Sequence, residues 1–297
     1  MNNSIDKTTP FVDTANSPTT TSPSNTKVED WMLEIWDWID NHSFYSNKDN
    51  LGPRDPQSLQ QVERLDLGFG KSKTYNVDDK SVFCDSAELT KPLPAAIGNL
   101  KNLKYLRLIG FSELPDEIAQ LDNLEELVFL KCGYVELPKV LWELKNLKSL
   151  SIYSKTLQKL PDDIGNLTSL TNLNITGTSI KHLPDSIANL TNLEIIEVYA
   201  NRYLKTLPVN IGNLSKLQTL DVRGSELKAI PHSIGNLKQL KELILYSNGL
   251  QSLPDSLTNL KQLERLDISD NPLSNLPDSV RQFIIELGNK VFSVKDK

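Results

Sequence analysis

The stretch LDLGFGKSK at residues 65–73 contains residue types that bind phosphate groups. The Gly-Lys-Ser triplet at 70–72 matches the end of a nucleotide-binding loop, in which backbone N–H groups and a lysine hold the phosphates. Such a loop needs a glycine five residues before the triplet, and Leu65 occupies that position. Residues 73–79 also lack the apolar spacing of a helix. The stretch therefore does not favour a nucleotide site, and its leucines fit a strand.

Histidine and cysteine, which often carry catalysis or bind metals, are scarce. The three histidines are His42, His182 and His232, and the two cysteines are Cys84 and Cys132. None of them stands at a spacing known for a zinc site, and no nucleophile elbow or kinase signature occurs. The sequence thus predicts a protein that is not an enzyme and that has no catalytic residue, metal or cofactor.

Composition and charge exclude further classes. The chain has 297 residues, a formal net charge of −6 and a pI of about 5.3, so a nucleic-acid partner is disfavoured because it requires a basic face. Two cysteines without a disulfide framework suit a reducing compartment. No signal peptide and no run of eighteen apolar residues occurs. We expect a cytoplasmic protein without a membrane span.

An internal repeat explains most of the chain. The pair Leu-Pro, once Ile-Pro, recurs at intervals of 21 to 24 residues, and the string IGNL occurs four times. Each unit also contains L-x-x-L-x-L, whose final alternation indicates a strand with one buried face. The prolines of the pairs are Pro94, Pro115, Pro138, Pro161, Pro184, Pro208, Pro231, Pro254 and Pro277.

With these motifs, the sequence resembles the leucine-rich repeat family in its 23-residue intracellular or bacterial form. The resemblance covers roughly residues 51–280 and implies an α/β fold, a right-handed solenoid shaped like a horseshoe. Parallel strands would line the concave face, short 3₁₀ or irregular segments the convex face, and helices would cap both ends. One unit alone buries too little apolar surface to fold, so the units must stack.

Family members usually place an asparagine after the strand, where its side chain bonds backbone groups of the turn. Cysteine, threonine and serine are acceptable substitutes, so we expect Cys132 to be a buried structural thiol. Lysine is not an obvious substitute, so Lys155 predicts a local irregularity in this turn. The residues at this place are Cys132, Lys155, Thr178, Asn201, Ser225, Asn248 and Asn271.

The array is predicted to span residues 51–277, with an insertion. Val62, Leu65 and Leu67 fit its first strand. The next Leu-Pro pair then comes eighteen residues later than the period requires, which places an inserted loop at about 69–90. A loop of this length is often functional, but disorder or simple cover for the sheet edge are alternatives.

Both ends of the array are predicted to be capped. Residues 28–50 contain an amphipathic helix whose apolar stripe is Trp31, Ile35, Trp38 and Ile39, with acidic residues on the other face. A cap over the first repeat is favoured over a partner-binding or membrane-surface helix. Residues 278–297 are predicted to form the C-terminal cap and tail.

Residues 1–27 are rich in serine, threonine, asparagine and proline, which predicts a disordered tail. A solvated tail is one interpretation, and the other is an export signal read by a bacterial secretion machine. The second would make the protein an effector that acts on a host protein. Only 20 residues follow Pro277, so we expect no separate catalytic domain such as the ubiquitin ligase of some family members.

The outward residues of the strands form the candidate site, at the third, fifth and seventh places of each strand motif. Tyrosine and aliphatic residues recur there among mixed charges, a composition typical of protein interfaces, although such residues also suit strands in general. We expect a protein or peptide partner of a monomeric scaffold. The candidate contact residues are Tyr105, Val128, Leu130, Tyr153, Ile195, Glu197, Tyr199, Arg223, Ile244 and Tyr246.

Overall fold

A computed structural model describes residues 27–41, 55–67, 92–111, 113–288 and 291–292. Nearly all of the predicted tail, the Gly-Lys-Ser triplet and the whole of the insertion at 69–90 lie outside these residues.

The described residues form a right-handed solenoid in which ten parallel strands make one sheet, in chain order, on the concave side. The predicted α/β solenoid is confirmed. The strands are β1 (Arg64–Leu67), β2 (Tyr105–Ile109), β3 (Glu126–Leu130), β4 (Ser149–Tyr153), β5 (Asn172–Thr176), β6 (Ile195–Tyr199), β7 (Thr219–Asp221), β8 (Glu242–Ile244), β9 (Arg265–Asp267) and β10 (Val291–Phe292). The helices are α1 (Asp30–Asn41), α2 (Pro56–Gln60) and α3 (Asp278–Leu287).

The repeated prolines set the convex side. All of them except Pro208 directly precede a helical segment and stand in extended or nearly extended backbone, as at Pro161 with φ −76° and ψ 162°. The apolar residue at the fourth place, such as Ile164, is buried against the leucines of the strand motif. The 3₁₀ segments are Ala95–Asn99, Asp116–Gln120, Lys139–Glu143, Asp162–Asn166, Asp185–Asn189, Ile211–Asn213, His232–Asn236 and Asp255–Asn259.

A ladder of side-chain hydrogen bonds joins the turns that follow the strands. Asn201 is fully buried, and its Nδ2 donates to the carbonyl oxygens of Ile175 (2.9 Å) and Tyr199 (3.1 Å). The N–H of Thr178 donates to Asn201 Oδ1 at 2.9 Å. Asn271 makes the equivalent bonds three units later, with Nδ2 2.9 Å from the Leu245 oxygen. These bonds satisfy backbone groups that the turn would otherwise bury unpaired.

The irregularity predicted at Lys155 is confirmed. Lys155 is exposed, and the buried residue of this turn is Ser154, whose Oγ donates to the Cys132 carbonyl oxygen at 2.7 Å. Neighbouring turns place a residue in the left-handed region before the ladder position, for example Lys131 (φ 53°) and Ala200 (φ 58°). Ser154 does not adopt that conformation, so the ladder bond moves one residue earlier in the chain.

A second set of asparagine bonds, which sequence reasoning missed, joins the units just before the strands. Each amide donates from Nδ2 to a carbonyl oxygen of the preceding unit, at 2.8–2.9 Å. The pattern is visible in the sequence, because in these units the asparagine stands directly before the first leucine of L-x-x-L-x-L. The pairs are Asn102 with Gln60, Asn123 with Lys101, Asn146 with Asp122, and Asn192 with Thr168.

The helix α1 packs against the first 3₁₀ segment, Ala95–Asn99, but the face that it buries differs from the prediction. Ile35 and Ile39 are buried as expected, together with Met32 and Trp36, whereas the predicted Trp31 and Trp38 are only half-buried. The indole of Trp38 donates to the Pro92 oxygen at 3.0 Å, which keeps the polar edge of the ring at the margin of the interface. At the other end, Val280 and Phe283 of α3 are buried against the last unit.

Candidate partner-binding surface

The pairing of the strands aligns the outward residues into three rows across the concave sheet. Tyr105, for example, is in register with Glu126, and Val128 is in register with Ser151. The third, fifth and seventh places therefore form continuous rows, as the repeat predicts. Strands β7, β8 and β9 end at the fifth place, so Arg223 and Tyr246 lie two residues beyond their strands.

In the first half of the array, several outward residues are buried, whereas the sequence predicts that they are exposed. Tyr105, Ile109, Val128 and Leu130 form a separate apolar cluster, in which Val128 is only 2 % exposed, and Tyr153 packs against it. Bulky side chains on neighbouring strands lie close enough to bury one another laterally. Tyr105, Val128 and Leu130 are therefore corrected from candidate contacts to buried residues.

Charged side chains continue this cluster towards the first strand. The guanidinium of Arg64 stacks 3.4 Å from the centre of the Tyr105 ring. Arg107 Nε donates to Asp66 at 2.8 Å, and both side chains are largely buried. Burial raises the pKa of the Asp66 carboxyl, although Arg107 acts in the opposite direction. These charged groups pair with their neighbours on the sheet, and this half of the face presents few apolar contacts to a partner.

The second half of the array carries a hydrogen-bonded polar network around Tyr199. Asn174 Nδ2 donates to Glu197 at 2.7 Å and to the Tyr199 hydroxyl at 3.1 Å. The guanidinium of Arg223 lies 4.9 Å from the centre of the Tyr199 ring and forms a 2.9 Å ion pair with Asp221. Burial raises the pKa of Tyr199, so its phenol stays protonated at neutral pH. We call these five residues the Tyr199 network.

Within the network, Tyr199, Glu197 and Arg223 are half-buried and therefore accessible to a partner. Asp221 is buried and serves to hold the arginine. The three accessible residues were predicted as contacts from the sequence, whereas the supporting roles of Asn174 and Asp221 were not. Both residues stand in the outward rows, so their place in the repeat marks them as part of the concave face. Their contacts are known only from the structure.

The remaining candidates differ in exposure. Ile195 is half-buried, and Ile244 is only 4 % exposed, which corrects its expected role as an open contact. Tyr246 is 40 % exposed. A hydrogen bond with the Asp270 carboxylate, together with its charge, raises the pKa of Tyr246. Tyr246 thus presents an aromatic ring at the rim of the second half of the face.

No catalytic arrangement is visible in the part of the chain that the structure describes. These residues contain no group of three or more histidines, cysteines or carboxylates that could hold a metal. Burial raises the pKa of the Cys132 thiol to about 12, so it carries almost no thiolate at neutral pH. None of the helices within the described ranges is long and apolar enough to span a membrane.

Comparisons with known proteins agree with this architecture. The family model for the leucine-rich repeat region matches residues 85–171, 139–205 and 198–290. A leucine-rich repeat protein of Leptospira interrogans has 31 % identity and a TM-score of 0.63, over 76 % of this chain and 53 % of the other. The chain thus spans about half the length of that protein. No curated protein matches.

Two further solved structures share the fold. The leucine-rich repeat domain of the type III effector XopL has 24 % identity and a TM-score of 0.65, over 92 % of this chain and 98 % of that domain. InlP of Listeria monocytogenes has 23 % identity and a TM-score of 0.55, over 67 % of this chain and 56 % of the other. The family model covers more than half of the chain, and the chain belongs to the leucine-rich repeat family, in the form with 23-residue repeats found in bacterial proteins.

Proposed function

We propose that the protein is a non-catalytic recognition scaffold that binds a protein or peptide partner on the second half of its concave face. The observation that carries this proposal is the Tyr199 network, in which an accessible tyrosine and arginine are held in place by neighbouring strands. The leucine-rich repeat is in general a protein-interaction fold. Action as a monomer in the cytoplasm belongs to the same proposal.

The network suits recognition because its side chains are already ordered. Asn174 fixes the Tyr199 hydroxyl, and the ion pair with Asp221 restrains Arg223. Ordering a long side chain on binding costs about 0.5–1.5 kcal/mol, and much of that cost is removed here. Tyrosine and arginine are also the residues that most often dominate interface energies.

The charges of this surface favour a protein over a nucleic acid. Glu197 and Asp221 lie beside Arg223, and Asp267 follows in the same row as Asp221. A partner that presented phosphates would meet the accessible carboxylates of Glu197 and Asp267, whereas a folded protein can pair with both signs.

The test is affinity capture from lysate of the source cell, with the wild-type chain compared with a Tyr199→Ala/Arg223→Ala/Tyr246→Ala variant. We expect a specific partner to be lost by the variant, and its affinity, once the partner is purified, to fall at least about 100-fold, since each anchor is worth 1 kcal/mol or more. The matched control is Tyr203→Ala, because Tyr203 is 53 % exposed but lies outside the concave rows. Circular dichroism must show that both variants stay folded. A folded triple variant that keeps every partner would contradict the proposal.

The alternative hypothesis is a secreted bacterial effector that uses the same surface on a host protein. It rests on the polar composition of residues 1–27, and the likeness to the effector domain supports only the fold. Deletion of residues 2–27 should abolish delivery of a reporter fusion into host cells while the partner affinity in vitro stays unchanged. Equal delivery with and without these residues would count against the hypothesis.

A further inference from the structure

A second surface lies on the side of the solenoid where the Leu-Pro pairs stack. A groove of about 680 Å³ runs along residues 159–162, 182–185, 206–209 and 229–231, and we call it the Leu-Pro groove. Its apolar lining comes from one buried leucine or isoleucine in each of four consecutive units and from the prolines of the last three, Pro184, Pro208 and Pro231. It is separate from the concave rows, because the chain passes through the ladder turn between the two.

The groove is most apolar in its second half. The place after the proline carries aspartate in the two preceding units, Asp162 and Asp185, but carries Val209 in the next. Val209 is 64 % exposed. The place before the Leu-Pro or Ile-Pro pair is likewise charged at Lys159 but becomes Thr206 and Ala229. An exposed valine at a place that holds aspartate in five other units indicates that this stretch is adapted for contact.

Three lysines line up beside the same stretch. Lys181, Lys205 and Lys228 directly precede the groove residues His182, Thr206 and Ala229. The backbone aligns them, since the N–H of Lys205 donates to the Lys181 oxygen (3.2 Å) and that of Lys228 to the Lys205 oxygen (3.4 Å).

The lysine column is limited to these units and is not neutralised within them. The same place carries Gln158 in the unit before and Gln251 in the unit after. Among the described residues, no carboxylate lies within ion-pair distance of the three ammonium groups. Strands of a sheet are about 4.8 Å apart, so the column extends over about 10 Å, the length of about three residues of extended chain.

We infer that the Leu-Pro groove docks an extended segment of a partner protein in which acidic residues accompany apolar ones. The apolar side chains lie over the prolines and Val209, and the carboxylates pair with the lysine column. Asp162 and Asp185 line the first half of the groove and would repel other carboxylates. The acidic residues of the segment therefore lie beside the lysine column. This site is independent of the concave face, and one partner could use both.

The test uses a library of random unstructured peptides displayed on phage and selected against the full chain. We expect enriched peptides to combine acidic with apolar residues. Synthetic labelled copies should bind about tenfold or more weakly to a Lys181→Glu/Lys205→Glu/Lys228→Glu variant, because three attractive pairs become repulsive. Val209→Asp should weaken binding in the same assay without a change in the folded circular dichroism spectrum.

Two control variants separate binding in the groove from a general effect of charge and from binding on the concave face. A Lys139→Glu/Lys241→Glu/Lys261→Glu variant makes the same change of charge at exposed lysines of other units and should keep full affinity. The Tyr199→Ala/Arg223→Ala/Tyr246→Ala variant should also keep it, so a failure here differs from a failure of the concave-face proposal. The inference is overturned if selection enriches no peptide, if enriched peptides lack acidic residues, or if both lysine variants bind equally. It is also overturned if sedimentation shows that the groove lysines instead mediate self-association of the chain.

Discussion

Replacement of Asn201 by leucine should destabilise the array more than any surface substitution, by about 4 kcal/mol. Asn201 is fully buried and bonds three backbone groups, the oxygens of Ile175 and Tyr199 and the N–H of Thr178. Each buried group left without a partner costs about 1–3 kcal/mol, and leucine of similar volume offers no bond in return. The measurement is the urea midpoint of the full chain by circular dichroism, with hydrogen exchange of the Thr178 amide as a local probe.

The matched control for Asn201 is Asn166→Leu, at an exposed asparagine of the convex side. Its free energy of unfolding should change by less than about 0.5 kcal/mol, as is usual for surface substitutions. If Asn201→Leu were as stable as this control, or if the Thr178 amide kept its protection, the ladder would not contribute to stability as we infer.

The second large effect is expected for Gly212→Ala on the convex side. A Cβ atom at Gly212 would lie 2.1 Å from the carbonyl oxygen of Ser233 in the next unit, much closer than atoms can approach. The two 3₁₀ segments would have to separate, which also weakens the bond from the Gly212 N–H to Ser233 Oγ (3.3 Å). We expect a loss of about 2–3 kcal/mol, in the range for overpacked sites, measured by thermal and urea unfolding.

The control is Ala188→Gly, which makes the reverse change at the same place of the preceding unit. Ala188 is buried, and its Cβ is accommodated there. The expected cost is about 1 kcal/mol or less, from lost packing and added chain entropy. A Gly212→Ala protein more stable than Ala188→Gly would show that the close approach between the segments relaxes without cost.

The sequence was sufficient for the solenoid because each unit repeats the same buried pattern. Leucines at L-x-x-L-x-L must face one core, and the constant period keeps neighbouring strands in register, as in Leu127 opposite Leu150. The irregular turn at Lys155 was predictable for the same reason, since lysine cannot replace a buried asparagine. The structure adds that Ser154 takes over the bond.

The buried face of α1 was not predictable, because two helical stripes fit the sequence equally well. Trp31, Ile35, Trp38 and Ile39 make one stripe at helical spacing, and Met32, Ile35, Trp36 and Ile39 make another. Packing against the first 3₁₀ segment, Ala95–Asn99, selects the second stripe. Trp38 is only half-buried, although it donates to the Pro92 oxygen and stacks with Phe111 at a centroid distance of 6.3 Å.

The exposure of the candidate contact residues could also not be predicted from the sequence. The alternation of a strand tells which residues point outward, but the neighbours across the sheet determine whether they remain accessible. Val128 is buried because Tyr105, Ile109 and Leu130 surround it, whereas Tyr246 has no such neighbours within the apolar cluster.

The neighbour-only connectivity of the sheet bears on how such a protein can evolve. Each strand bonds only to the strands next to it in chain order, and the asparagine bonds likewise join adjacent units. Duplication or loss of one whole unit would therefore preserve every kind of contact in the remaining array. A lineage can change the length of its recognition surface in steps of about 4.8 Å and explore new partners without inventing a new fold.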